Sequence, residues 1–311
     1  MSVAFLFPGQ GSQYPGMLHE LPDHPVVHAA IRRATEVLGH DALDLDTPEA
    51  LNSTVAVQLA LLITGTATAR ALIAEGGHAD FVAGHSVGAF AAAAIGGTLT
   101  FEDAMHLVDL RARSMQAAYP HGYGMCVLIG LEERTVSQLA AAVNTPEAPV
   151  FASNVNAALQ VTIAGADDAL ERLMTLARER GARRAYRLAV PTPSHTPLMA
   201  PVAAELSRAL SSVSLHPPDV PYVSNVGGRA LRDPEAIRYD LARSVECPVR
   251  WHDATTVLFE LGVRLFVEMP PGDVLTRLAE VAFPEARCVA VDGGGFESVL
   301  TLMDRARDGT Q

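Results

Sequence analysis

The chain has 311 residues, with 23 Lys or Arg against 35 Asp or Glu, for a formal charge of −12 at pH 7. At 49% hydrophobic and 19% charged residues, the composition is globular and excludes a disordered or collagenous chain. The acidic balance argues against nucleic acid as a partner, since a phosphate backbone calls for a basic face, and no apolar run reaches the ~20 residues that span a bilayer.

In chain order, the start Met1-Ser2-Val3-Ala4-Phe5-Leu6-Phe7 lacks the basic residues and long apolar stretch of a secretion signal. Val3 to Phe7 reads as a buried strand, followed by the glycine turn Pro8-Gly9-Gln10-Gly11-Ser12-Gln13. Val55 to Leu72 is an alanine- and leucine-rich helix. Phe81 to Ala83 is a short strand running into Gly84, and Ser86 to Ile95 a helix stopped by Gly96-Gly97. Thr100 and Asp103 open a helix over 101–118 with a capping-box-like start. Strand, helix, two strands, helix and strand then follow between Met125 and Val190, the βαββαβ pattern of a ferredoxin-like unit. Strand expectations at Val220 to Ser224 and Arg264 to Glu268, and helices at Pro201 to Ser212 and Ala254 to Leu261, resume the α/β alternation. A strand at Arg287 to Val291 precedes a last helix from Phe296. The expected organisation is a large domain (1–123 and 192–311) carrying a small domain (124–191). Cys126, Cys247 and Cys288 are odd in number and form no CxxC pair, so neither a disulfide framework nor a structural zinc site is expected. A reducing cytoplasm fits this usage.

Four positions carry candidate chemistry. Gly84-His85-Ser86-Val87-Gly88 matches G-x-S-x-G, which holds a serine on a strained strand-to-helix turn with backbone N–H groups facing developing negative charge. The same residues also describe a serine capping a helix. Gln10, between two glycines, either belongs to a plain tight turn or lends its N–H, with that of Val87, to an oxyanion hole. A phosphate loop is excluded there: position 14 is Tyr14 and no G-K-[ST] follows. At 100° per residue, Ala104, Val108, Arg111 and Met115 share one helix face within about 40°, while Arg113 falls opposite. A guanidinium in that apolar stripe needs an anion, from an internal Asp or Glu or from a substrate carboxylate. His195 lies in the proline-stiffened Pro191-Thr192-Pro193-Ser194-His195-Thr196-Pro197, either an exposed loop histidine or a base held in one orientation. Asp103, Asp109, Asp167 and Asp168 lie between Ser86 and His195 without a strand-end context, so a backbone carbonyl competes with a carboxylate as the group that orients the imidazole. His85 points away from Ser86 and suits packing or hydrogen bonding.

Taken together, FPGQGSQ at 7–13, GHSVG at 84–88, Arg111, PSH at 193–195 and CPVRW at 247–251 resemble the malonyl-CoA:acyl-carrier-protein transacylase family in order and spacing along essentially the whole chain. The resemblance implies an α/β-hydrolase-like core with an inserted ferredoxin-like small domain. It implies Ser86 as acylated nucleophile, His195 as base, Gln10 and Val87 N–H groups as oxyanion hole, and Arg111 on the malonyl carboxylate. Asn156 would line the cleft from the small domain, and the carbonyl of Ser244 would orient His195, although the family usually has a different side chain there. No cofactor or metal is implied: malonyl-CoA is substrate, and the accepting thiol is a phosphopantetheine carried by an acyl carrier protein. Val87 and Ala89 depart from the GHSLGE of fatty-acid-synthesis members, and Pro270 replaces a usual glycine. GHSVGAF at 84–90 is more similar to the epsilon subunit of malonate decarboxylase, so priming of that complex's carrier, with its other subunits as partners, is the leading expectation. A transacylase of fatty-acid or polyketide synthesis is the alternative. A serine esterase or thioesterase and a non-catalytic carrier-docking subunit are the remaining rivals.

Overall fold

Short buried runs become strands, and the longer apolar patterns wrap them as helices. The computed structural model describes residues 1–308. The first part runs β1 (Ser2–Phe7), α1 (Pro25–Leu38), α2 (Thr54–Ala74), β2 (Phe81–Gly84), α3 (Gly88–Ile95) and α4 (Phe101–Ala118). Next come β3 (Tyr123–Ile129), α5 (Glu133–Val143), β4 (Val150–Ala157), β5 (Gln160–Ala166), α6 (Asp167–Glu179) and β6 (Arg184–Arg187). Then follow α7 (Ala200–Ser211), β7 (Tyr222–Val223), β8 (Ala230–Leu231), α8 (Pro234–Arg243), α9 (Trp251–Glu260) and β9 (Val263–Glu268). The chain continues through α10 (Val274–Ala282), β10 (Arg287–Ala290), the short α11 (Val291–Gly294) and α12 (Phe296–Asp308).

Two sheets result. The larger has the order β10-β9-β1-β2-β7-β8, parallel throughout except where β8 turns back on β7. The smaller, β4-β5-β3-β6, is antiparallel. β1 shows why the large sheet reads as an unbroken apolar run. Val3, Phe5 and Phe7 pack into the cluster built by α2, α3 and α4, while Ala4 and Leu6 point to the other face, against Trp251, Leu258 and Leu275 of α9 and α10. A strand covered on both sides has no polar face to show.

α2 is buried nearly all round, between α1, α3 and α4. At 21 residues it is long and apolar enough to cross a membrane, yet 89% of its most apolar window is buried inside the protein. Gln58, Arg70 and four threonines interrupt it as a run, which is why it does not read as a span from the sequence. Besides the one-turn α11, three helices escape the periodicity reading. In α1 and α8, Pro25 and Pro234 occupy the first turn behind capping side chains of His24 and Asp233, the arrangement a helix start favours. α10 begins after Asp273 and buries only Leu275, Thr276 and Ala279. α3 starts at Gly88 rather than Ser86, because Ser86 adopts φ 56 and lies outside any right-handed helix. The first strand of the small sheet starts at Tyr123, one residue ahead of the expected boundary.

Two features position the site. β1 and β2 are parallel neighbours in register at Phe7↔Gly84, so the Gln10 and Ser86 turns leave the same carboxyl edge of the sheet. The small sheet is fastened above that edge by main-chain bonds: Val155 N–H donates to Val249 O at 2.9 Å, and Val249 N–H to Ser153 O at 2.9 Å.

Candidate active site

The turn between β2 and α3 is built by glycines. A Cβ on Gly84 would lie 2.0 Å from the carbonyl carbon of Gly88, and one on Gly88 would lie 2.2 Å from Phe7 O. Only hydrogen fits at either position, and the tight crossing forces Ser86 to φ 56, a conformation non-glycine residues avoid. The G-x-S-x-G spacing is therefore a steric requirement here, and the serine is more than a helix cap.

Ser86 Oγ lies 2.7 Å from His195 Nε2. His195 is 2% exposed and also has a positive φ, 61, held by its N–H donating to Val245 O at 2.7 Å. Its Nδ1 lies 2.5 Å from Ser244 O. A carbonyl only accepts, so Nδ1 carries the hydrogen and Nε2 presents its lone pair to the serine hydroxyl. Among the described residues no carboxylate takes that position: Asp103 accepts from Thr100 and Asp167 pairs with Arg187. Burial, then the positive charge of Arg111, pushes the imidazole down to about 3, against the opposing pull of Ser244 O. It is therefore neutral at physiological pH and able to accept a proton.

Arg111 lies in the buried stripe of α4, 1% exposed, while Arg113 is solvated and donates to Asp109 at 2.8 and 2.9 Å. No acid of the described chain pairs with Arg111. Nη1 donates to Gln58 Oε1 at 2.5 Å and Nη2 to Ser86 Oγ at 3.1 Å, and Nε has no partner. Burial pushes the guanidinium down to about 10, still charged at neutral pH. An uncompensated buried cation aimed at a serine hydroxyl is arranged to take an anion from outside.

Gln10, Val87, Asn156, Ser86, Arg111 and His195 line one cleft of ≈ 420 Å³. The N–H groups of Gln10 and Val87 donate to no other group of the described chain. Asn156 Oδ1 lies 3.0 Å from His85 Nε2. His85 packs edge-on against Trp251, with centroids 5.4 Å apart, and does not touch the serine oxygen. Two participants escape the sequence reading. Gln58 is a buried amide on α2 with no local motif; it holds Arg111 and donates to Met115 Sδ at 3.6 Å. Asn225, just after β7, accepts from Ser86 N–H at 2.9 Å and has no local motif.

The low His195 pKa has a measurable sign. The unfolded imidazole titrates near 6.5 and the folded one about 3, so between those values the unfolded state binds the extra proton. The stability from a neutral, buried His195 is complete above about pH 6.5 and is lost as the pH falls towards 3. The unfolding free energy from urea titration should therefore fall faster on acidification for wild type than for His195→Gln, by up to about 1.4 kcal/mol per pH unit. Parallel curves would mean the imidazole takes up its proton in the folded protein over the same pH range as in the unfolded chain.

Residues 4–309 match the family model described as the acyl transferase domain. The chain is 36% identical over 304 residues to the malonyl CoA-acyl carrier protein transacylase of Haemophilus influenzae, covering 95% of this chain and 97% of that one. It is 38% identical over 285 residues to that of Escherichia coli K12, covering 89% and 91%. Among solved structures, it resembles the transacylase from Coxiella burnetii with TM-score 0.93 at 34% identity, covering 98% of each chain. A complex of a holo type II polyketide acyl-carrier protein with its malonyl-transacylase matches with TM-score 0.92 at 36% identity, covering 97% of this chain and 100% of that one.

Proposed function

Because the chain belongs to the acyl transferase family, and within it to the malonyl-CoA–acyl carrier protein transacylases, we propose that it carries malonyl from malonyl-CoA to a carrier-protein thiol through a malonyl-serine at Ser86. The chain is an acyltransferase. The observation that carries the serine route is the convergence of three groups from distant parts of the sequence: Ser86 Oγ is 2.7 Å from His195 Nε2 and 3.1 Å from Arg111 Nη2.

In this reading Ser86 Oγ attacks the thioester carbonyl carbon as His195 Nε2 takes the hydroxyl proton. The tetrahedral oxyanion accepts from the N–H groups of Gln10 and Val87, each worth ~3 kcal/mol when well placed. Collapse breaks the C–S bond, and His195 returns its proton to the departing coenzyme A thiolate. The phosphopantetheine thiol of the carrier then attacks the malonyl-serine, His195 taking the thiol proton and giving it back to Ser86 Oγ. Arg111, held by Gln58, grips the free carboxylate, and Ser244 O keeps the imidazole in the tautomer both halves require. Asn156 shapes the small-sheet wall of the cleft. Burial depresses His195 most and the Arg111 charge next; the arriving carboxylate neutralises that charge, so malonyl strengthens the base as it binds.

We read the molecule as an α/β-hydrolase-like large domain, 1–123 and 192–311, with a ferredoxin-like insert, 124–191. The insert's sheet order, β4-β5-β3-β6, supports this. Free thiols at Cys126, Cys247 and Cys288 suit a reducing, cytoplasmic setting. The relatives named above are transacylases, one of them seen with a polyketide carrier, and this favours a role in fatty-acid or polyketide synthesis over the priming of malonate decarboxylase that GHSVGAF suggested. With labelled malonyl-CoA and equal amounts of holo carriers of both kinds, the synthase-type carrier should be loaded faster. Faster loading of a malonate decarboxylase carrier would reverse the assignment, and release of free malonate at the same rate without any carrier would mark a thioesterase.

A further inference from the structure

Ser86 adopts a strained φ of 56, and such a conformation persists only where its surroundings over-determine it. The side chain that does this is Asn225. Its Oδ1 accepts from Ser86 N–H at 2.9 Å, and its Nδ2 donates to Gly84 O at 2.9 Å. The amide thus bridges both arms of the turn. Its orientation is unique, since exchanging its oxygen and nitrogen would set donor against donor and acceptor against acceptor.

Asn225 is itself held by a buried carboxylate. Its N–H donates to Asp240 Oδ2 at 3.0 Å, Val226 N–H to Oδ1 at 2.8 Å, and Tyr222 Oη–H to Oδ2 at 2.6 Å. Asp240 is 2% exposed and, among the described residues, makes no ion pair; these donors are what compensate it. One helical turn further along α8, Ser244 N–H donates to Asp240 O at 2.8 Å. Ser244 O then receives His195 Nδ1–H at 2.5 Å, and Val245 O receives His195 N–H at 2.7 Å. The end of α8 therefore holds the serine turn through Asn225 and the imidazole through its terminal carbonyls. Arg111 and Gln58 stand on α4 and α2, outside this chain of bonds.

We propose that Asn225 and Asp240 are positioning residues for acyl transfer, which set the spacing of Ser86 and His195 from one shared stretch of backbone without contributing to the grip on the malonyl carboxylate. The proposal rests on the reading of Ser86 as nucleophile. It separates kcat from KM: loosening the serine turn spoils the attack geometry, where a misplacement of about 1 Å costs roughly 100-fold, while the carboxylate site keeps its shape.

The test is single-turnover acylation by malonyl-CoA, rates being expressed per malonyl-serine finally formed so that unfolded protein is not counted. Asn225→Ala should lose roughly 100-fold in the maximal rate with the half-saturating malonyl-CoA concentration within about twofold of wild type. Tyr222→Phe removes one donor to Asp240, keeps the ring, and should lose a few-fold in the same manner. Asp240→Asn should fall between them, and the double variant with Asn225→Ala should lose less than the product of the two single losses, because one acts through the other. An unchanged maximal rate, or a loss confined to half-saturation, in the folded variants overturns the proposal while leaving the malonyl-serine in place. Wild-type protein that gains no malonyl group on Ser86 overturns the nucleophile reading, and the proposal with it.

Discussion

Ser86→Ala is expected to abolish the malonyl adduct seen by intact-mass measurement after mixing with malonyl-CoA, and to reduce transfer to a carrier by about 10⁴- to 10⁶-fold, the range for losing the nucleophile of a serine–histidine pair. Loss on this scale follows because, among the described residues, this is the one hydroxyl oxygen in the cleft with an imidazole at 2.7 Å and a guanidinium at 3.1 Å. Alanine leaves the turn intact, since the glycine contacts at Gly84 and Gly88 and the Asn225 bond to the backbone N–H do not involve the hydroxyl. A folded Ser86→Ala protein that still transfers malonyl would mean direct attack by the carrier thiol, and a malonyl group recovered on another residue would move the nucleophile. A carrier-docking subunit without chemistry would retain carrier in a pull-down and show no transfer in wild type either.

The second large effect concerns which acyl group is accepted. Arg111→Ala should lower malonyl transfer by roughly 30- to 4,000-fold, the equivalent of about 2–5 kcal/mol for breaking a buried charge pair, and change acetyl transfer by less than about tenfold. The reason for the asymmetry is local. Among the described residues the guanidinium's only partners are an amide oxygen and the serine hydroxyl, so a substrate without a carboxylate leaves it buried without an anion. Next to burial, its charge also helps hold His195 down to about 3; in the proposed mechanism a malonyl carboxylate offsets that charge and an acetyl group does not. Removing the arginine removes that charge for acetyl as well, which partly offsets the lost contact. Competition between malonyl-CoA and acetyl-CoA, read as two masses on one protein, measures both. Equal losses would make Arg111 a structural residue.

What the sequence made legible was what is encoded locally. Ser86 announced itself because two glycines are needed within five residues, and the coordinates give each a steric cause. Arg111 was found because helical geometry alone places it among Ala104, Val108 and Met115. His195 was visible through the prolines around it. Gln58 and Asn225 belong to the same site and were missed for the opposite reason: each acts on a partner far along the chain, and nothing beside it in sequence is unusual enough to mark the pairing. The same holds for Ser244, whose contribution is a main-chain carbonyl; any side chain there can supply one, so only the resemblance pointed to it. In the fold, β1 and α4 were readable from burial and capping, whereas α8 and α10 are only 10 and 9 residues long, too short for an apolar repeat to complete three turns.

The strand arrangement sets a condition on biogenesis. β1 is made long before β9, one of its two neighbours, with which it pairs through Phe5↔Val267, and the imidazole's anchor at Ser244 also follows Ser86 at a distance. Such distant pairings are slow to form. A nascent chain that carries Ser86 without His195 and Ser244 therefore lacks the groups that the proposed mechanism pairs with the serine, and gains them only once both later segments are made and folded.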